Sequence, residues 1–476
     1  MQLANQMIAP DTALCRLSAL EALALFRSGE LSPVELLQAQ INRAAEVEPV
    51  INAFTETFFD TAMQQARQAE RRYLDRTGDL RPLEGLTVTV KDVIDQKGAR
   101  TTYGSLVYRD NLAHRDHPVV ARIRQAGGII HARTTTSELA FGWITATRLW
   151  GVTRNPWNPA LSPGGSSGGA AASLAAGTST LAIGSDSAGS IRVPASLCGV
   201  VGYKPPAGRV PDPAEGHDPY NAIGPLARSV GDCALLQNVI SGGHPSDIGS
   251  LRERLELPLT NSGEEPLRVA LSLNLGKSSP ARNIVSVIRD FATRMQQVGI
   301  SVEEPSICWP GTVIDDAKDY AVSLIAESLS GMLQQHGADV CDYIVSVGAA
   351  ARNCPSTAIP RAFETKKRLY AELSAILHSA DALICPVVLT NCVGAEQRPW
   401  ERMIVNGAEL DSDYDWVTTP HFNMLGQLPA LAVPIGCDGS GLPVGIQIVT
   451  RPYDDQRAFR VAAAVERIVR TKTRGF

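Results

Sequence analysis

Two glycine-rich stretches each carry a serine that can attack a carbonyl carbon: SPGGSSGGAAASLAAG at 162–177 and GSDSAGSIRVPAS at 184–196. In the first, Gly164, Ser166 and Gly168 satisfy G-x-S-x-G, the pattern of a serine mounted on a sharp strand-to-helix turn. Such a turn needs a strand directly before it. Ser166 opens a helix, but the preceding RNPWNPALSPGG holds three prolines and cannot be a central strand. Ser190 is better placed as a nucleophile, because SDSAGS supplies small residues whose backbone N–H groups can converge on an oxyanion beside its hydroxyl. Removing one such donor typically costs about 100- to 1,000-fold in turnover, so the loop matters as much as the serine.

A serine nucleophile needs a base. The eight histidines stand in unrelated contexts, and no sequence rule pairs one with Ser190. Lys91 is more suggestive, since it ends the apolar strand expected in GLTVTVKDVID, where burial disfavours an ammonium. To act near neutral pH it must shed about three units from a reference near 10.4, roughly 4 kcal/mol of differential solvation.

The elements that must position these groups alternate along the chain. SALEALALFRSG starts from an N-cap at Ser18, and SPVELLQAQINRAAEV has Ser32 at N-cap, Pro33 at N1 and Glu35 at N3. A third helix is expected across TAMQQARQAERRYLD. The strand ending near Lys91, the helix PVVARIRQAGG and the strand IIHA at 129–132 follow. GGAAASLAAG reads as a closely packed helix and TLAIGSD as a buried strand. LRVALSL, a helix around 283–298 and GISVEE repeat the alternation, and a mostly helical stretch runs from about 314 to 378. Three apolar runs, DALICPVV, LPALAVPIG and GLPVGIQIVT, precede an amphipathic helix at roughly 454–470. This is an α/β pattern, with helices covering a mostly buried sheet. No linker or internal repeat divides the chain, so one domain over 1–476 is expected.

Bulk composition narrows the partners. Of 476 residues 20% are charged and 44% hydrophobic, and the net charge is -5. Lys and Arg (44) are outnumbered by Asp and Glu (49), which argues against nucleic acid and anionic lipid as partners. The N-terminus lacks a basic region followed by an apolar one, and no long apolar run predicts a membrane span, so the cytoplasm is the default expectation. Nine scattered cysteines without C-x-x-C pairs point to buried thiols rather than disulfides or zinc.

The run from GGSSGG through SDSAGSIRVPASLCGVVGYKP resembles the signature of the amidase signature family. The resemblance extends from SALEALALFRSGELSPVELL to FNMLGQLPALAVPIG and GLPVGIQIV, nearly the whole chain. That family uses a Ser, cis-Ser, Lys triad, with the nucleophile 24 positions after the cis-serine and the lysine on an upstream V-K-D strand end; Ser166 and Ser190 are 24 apart, and Lys91 stands in TVTVKDVID. The resemblance implies that Ser190 is the nucleophile, Ser166 a proton relay behind a cis bond from Gly165, and Lys91 the general base. It implies an oxyanion hole from the N–H groups of Ser187, Ala188, Gly189 and Ser190, braced by Asp186 and Arg192. It also puts Ala140, Phe141 and Gly142 near the acyl pocket. The implied fold is a central mixed twisted sheet with helices on both faces, with N-terminal helices to about 80, a signature core at about 81–210 and a variable helical and substrate-rim region at about 307–416. No metal or organic cofactor is implied.

Bland readings stand beside these. Ser167 reads as a helix-capping hydroxyl. Cys198, in apolar LCGVV, reads as core rather than as a reactive thiol, and Arg209 as a loop brace at least as readily as a substrate contact. Trp143 or Trp150 is expected either in an apolar pocket wall or in the core, and Trp400 and Trp416 at a cavity rim. Ala188 stands where many relatives have glycine, and a positive φ there would strain it.

The resulting expectation is a serine amidohydrolase cleaving amides through an acyl-enzyme, with esters and carbamates as further substrates. Its partner would be a small molecule, with no nucleic acid or membrane, and the chain a monomer or homodimer. The alternative is the glutamine-amidase subunit of a tRNA-dependent amidotransferase.

Overall fold

Local start signals are used as the sequence reads. Ser18 and Ser32 each close a capping box, with Glu21 and Glu35, over the helices Ala19–Ser28 and Pro33–Ile51. The computed structural model describes residues 12–75, 79–213, 218–260, 266–277 and 279–473. The first eleven residues of the N-terminal reading, His217 and the end of the basic tail from Arg474 lie outside them.

One mixed sheet of eleven strands organises these residues. From edge to edge it runs Phe54–Thr57, Ile129–Thr134, Thr87–Lys91, Leu181–Ser185, Ile223–Ala227, Val201–Lys204, Ala430–Cys437, Pro443–Val449, Ala382–Pro386, Arg268–Leu271 and Ser301–Glu303. Thr87–Lys91 pairs parallel with both neighbours, Ile129–Thr134 and Leu181–Ser185, whereas Ile223–Ala227 and Ala430–Cys437 pair antiparallel. The strands beside Lys91 are buried along their length, which is why they read as apolar runs instead of alternating ones.

Helices cover both faces. Gly168–Ala176 and Arg192–Cys198 touch each other on one side, and Pro118–Gln125, Val230–Ile240 and Asp455–Thr473 pack in sequence on the other. The low bulk of GGAAASLAAG has a steric cause: a Cβ at Gly169 would fall 2.3 Å from Thr135 Oγ1 and one at Gly168 2.2 Å from Thr145 Oγ1. The expected helical stretch resolves into Val313–His336, Asp342–Arg352 and Ala358–Ser379. No helix among the described residues is long and apolar enough to cross a membrane.

Candidate active site

Lys91 is the last residue of a strand whose Val88 and Val90 lie in the core, and it is itself fully buried. Its Nζ lies 2.7 Å from Ser166 Oγ and 2.9 Å from Ser185 Oγ. Sequence reasoning misses Ser185. The signal for it lies in the register: Val90 stands opposite Ile183, so the two parallel strands end side by side, one on lysine and one on serine. Asp92, next to Lys91, turns away into its own pair with Arg133 at 3.2 Å and accepts the Thr102 N–H at 3.0 Å.

The peptide bond from Gly165 to Ser166 is cis. Glycine is required before it, because a Cβ at Gly165 would lie 2.8 Å from Ser137 Oγ and 2.9 Å from the Trp143 carbonyl carbon. Ser167 departs from the capping expectation. It occupies the N-cap position of Gly168–Ala176, but its hydroxyl makes no cap. It donates instead to the Ser185 carbonyl at 3.2 Å and accepts the Ser185 N–H at 3.4 Å, stapling the helix start to the strand end. Main-chain donation from Ser167 N–H to Ser190 O, 3.1 Å, joins the two serine clusters. The hydrogen bond given for Ser166 Oγ runs to Lys91 Nζ, and both serines are buried.

The loop carrying Ser190 is braced as the resemblance implies. Asp186 and Arg192 pair at 2.9 Å with both side chains fully buried. Arg192 also reaches Gln447 Oε1 at 2.8 Å, and Asn423 donates to Asp186 at 2.9 Å. Burial alone would raise the Asp186 carboxyl, but the Arg192 guanidinium and the Asn423 amide more than offset this and hold it well below the usual carboxylate range. Asp186 also accepts the Gly189 N–H at 2.7 Å. That corrects the expected oxyanion hole: the Gly189 amide is committed to the brace, leaving Ser187, Ala188 and Ser190 with N–H groups that have no acceptor among the described residues. Ala188 is outside the left-handed region. The positive φ falls on Gly189, at 115°, where a Cβ would strike Thr419 Oγ1 at 1.9 Å.

Other expectations sort as follows. Ala140, Phe141 and Gly142 are half-buried in the loop that borders Gly165. Trp143 is core, edge-on to Tyr414 at 4.9 Å and Trp416 at 6.1 Å. Trp416 is therefore buried and does not stand at a rim, whereas Trp400 is partly exposed beside Tyr343. Trp150 donates to Thr102 Oγ1 at 3.0 Å. Arg209 is a brace, paired with Asp455 at 2.9 Å, and Cys198 is buried with its thiol pushed up by burial. Among the described histidines none bonds to Ser166 or Ser190; His131 and His421 bond to the Thr178 and Thr418 carbonyls. Among the described residues no three of His, Cys, Asp or Glu are grouped to hold a metal ion.

A buried amine against a serine, beside a second serine on a charge-braced turn, is the equipment of acyl transfer. The family model Amidase matches residues 35–459. The chain belongs to the amidase signature family. Among relatives of this family, an acylamidase of Rhodococcus erythropolis is 34% identical over 461 residues, covering 95% of each chain. A glutamyl-tRNA(Gln) amidotransferase subunit of Synechococcus sp. (strain CC9605) is 31% identical, covering 92% of this chain and 94% of that one. The crystal structure of a bacterial aryl acylamidase of the amidase signature enzymes superposes with a TM-score of 0.86 at 26% identity, covering 95% of this chain and 96% of the other. The protein is accordingly a hydrolase acting on carbon–nitrogen bonds, and its large mixed sheet is that of the amidase signature enzymes.

Proposed function

We propose that the chain is a free-standing serine amidohydrolase that forms an acyl-enzyme on Ser190. Ser190 Oγ attacks the amide carbon while its proton passes to Ser166 and the Ser166 proton passes to the unprotonated amine of Lys91. The C–N bond then breaks, and the same relay returns a proton to the leaving nitrogen. Water, deprotonated along the same path, releases the acid. The observation that carries this reading is the fully buried Lys91 Nζ 2.7 Å from Ser166 Oγ. The N–H groups of Ser187, Ala188 and Ser190 receive the oxyanion, and Ala140, Phe141 and Gly142 border the acyl group.

Esters and carbamates fit the same chemistry, since only the leaving atom differs. On this reading the partner is a small-molecule amide, ester or carbamate, and the single-domain chain works in the cytoplasm as a monomer or homodimer without nucleic acid or membrane. Ser190→Ala is expected to give no mass adduct with a fluorophosphonate, and Lys91→Ala to lower kcat by about 100- to 10,000-fold. An adduct persisting in Ser190→Ala refutes the assignment.

A second reading, the glutamine-amidase subunit of a tRNA-dependent amidotransferase, is favoured by full-length similarity to such subunits. Steady hydrolysis of simple anilides by the isolated chain decides for the first reading; glutamine hydrolysis that appears only with partner subunits decides for the second.

A further inference from the structure

The loop that borders the catalytic serines is held in a conformation its residues do not favour. Leu139 and Ala140 have φ of 54° and 60°, and Gly142 has 91°. Side chains larger than glycine rarely enter this region, and two in succession require support from outside the loop. Ser137 and Trp143, the residues on either side of this loop, lie against Gly165, one residue from Ser166, so the loop is anchored at both ends beside the site.

The support comes from the helical insert, more than two hundred positions along the chain. Glu138 N–H donates to Tyr343 Oη at 2.6 Å across a separation of 205 residues. The Cys341 N–H donates back to Glu138 Oε2 at 2.6 Å. Cys341 is the N-cap of Asp342–Arg352 and its side chain makes no cap, so the Glu138 carboxylate satisfies an N–H that the helix leaves unpaired. Arg148 holds the same segment, donating to the carbonyls of Ala338 and Val340 at 2.5 and 3.2 Å. Leu139 and Phe141 pack with Leu329, Val340 and Ile344. Glu138 and Tyr343 are 1% and 6% exposed, so these bonds face little competition from water.

We infer that Glu138 and Tyr343 form a clasp through which the helical insert sets the acyl-side specificity of the enzyme. They are positioning residues: neither contacts the reacting atoms, and both act through the backbone of Leu139–Gly142. The inference rests on the acyl-enzyme reading above, which puts that loop beside the acyl group. Loosening the clasp lets the loop leave its left-handed conformation and widens or blurs the acyl pocket. Lys91 stands at a strand end and Ser190 on the separately braced turn, so both keep their places.

The test uses the full chain with acetyl and hexanoyl 4-nitroanilides. Tyr343→Phe keeps the ring in its cluster and removes only the hydroxyl that accepts the Glu138 N–H and donates to the Glu138 carbonyl at 3.4 Å. It is expected to raise KM for the hexanoyl substrate by about tenfold, as loss of one buried hydrogen bond allows. KM for the acetyl substrate, kcat for both and the rate at which a small fluorophosphonate labels Ser190 should stay within about twofold of wild type. Glu138→Gln, which keeps shape but removes charge, should shift the same ratio in the same direction, and it carries the test if Tyr343→Phe does not fold. Equal KM changes for both acyl lengths, or none in a variant that labels normally, overturn the clasp alone. Failure of wild type itself to be labelled at Ser190 overturns the acyl-enzyme reading and the clasp with it.

Discussion

Two loops lie near the candidate site, and they are held by different physics. The turn Asp186–Ser190 is fixed by charge: a fully buried ion pair with Arg192, with Asn423, Gln447 and the Gly189 amide satisfying what remains. The second loop, Glu138–Gly142, is fixed by a left-handed backbone and by single hydrogen bonds to Tyr343 in the helix Asp342–Arg352 and to its N-cap Cys341. The first is expensive to disturb, because removing one partner strands a buried charge. The second can be altered one bond at a time. On the proposed acyl-enzyme reading, this division would keep the oxyanion geometry fixed while the wall against the acyl group varies.

The largest break in that contrast is Arg192→Ala. It leaves Asp186 buried without its counter-ion, and unfolding in urea is expected to show about 3–5 kcal/mol of lost stability, with turnover abolished. No single substitution in the second loop should approach this. A finer test uses Lys204, buried beside the brace with its Nζ 3.4 Å from the Pro205 and Gly426 carbonyls. Burial first, and the charge of Arg192 second, push its ammonium down to about 7. The folded state therefore binds fewer protons than the unfolded chain between about pH 7 and the ordinary lysine value near 10.4, and stability rises with pH across that window. Compared with Lys204→Met, wild type should gain at most about 1.4 kcal/mol per pH unit there and run parallel to the variant below pH 7. Parallel curves throughout would show that the charge-held side carries no such titration. The smallest effect is expected for Ala140→Gly, where relief of a left-handed alanine and added chain entropy nearly cancel. A thermal shift equivalent to no more than about 1 kcal/mol in either direction should accompany it.

Legibility in the sequence follows the same divide. Lys91, Ser166, Ser190, Asp186 and Arg192 lie in or beside contiguous motifs, and the strand and helix limits around them follow from capping serines and apolar runs. What escapes is direction within a turn. Nothing in SDSAGS says that the Gly189 N–H points into the brace while its neighbours do not, nor that the positive φ belongs to Gly189 and not Ala188. Ser167 reads as a cap because sequence gives its place at a helix start, yet the Ser185 backbone at a strand end competes for the same hydroxyl. Trp416 reads as rim and is core, since Trp143 packs edge-on against it and Asp415 beside it is itself buried. The clasp has no local signal: Glu138 meets Tyr343 and Cys341 only because the chain folds back across two hundred residues.

The close approach at Gly168 and Gly169 has a practical corollary for anyone reshaping this enzyme. With Thr145 and Thr135 already where a methyl group would go, the platform beneath the serines accepts no new side chains at these two positions. Libraries meant to widen its diet should leave these two positions untouched and draw their diversity from the helices Val313–His336 and Asp342–Arg352 instead.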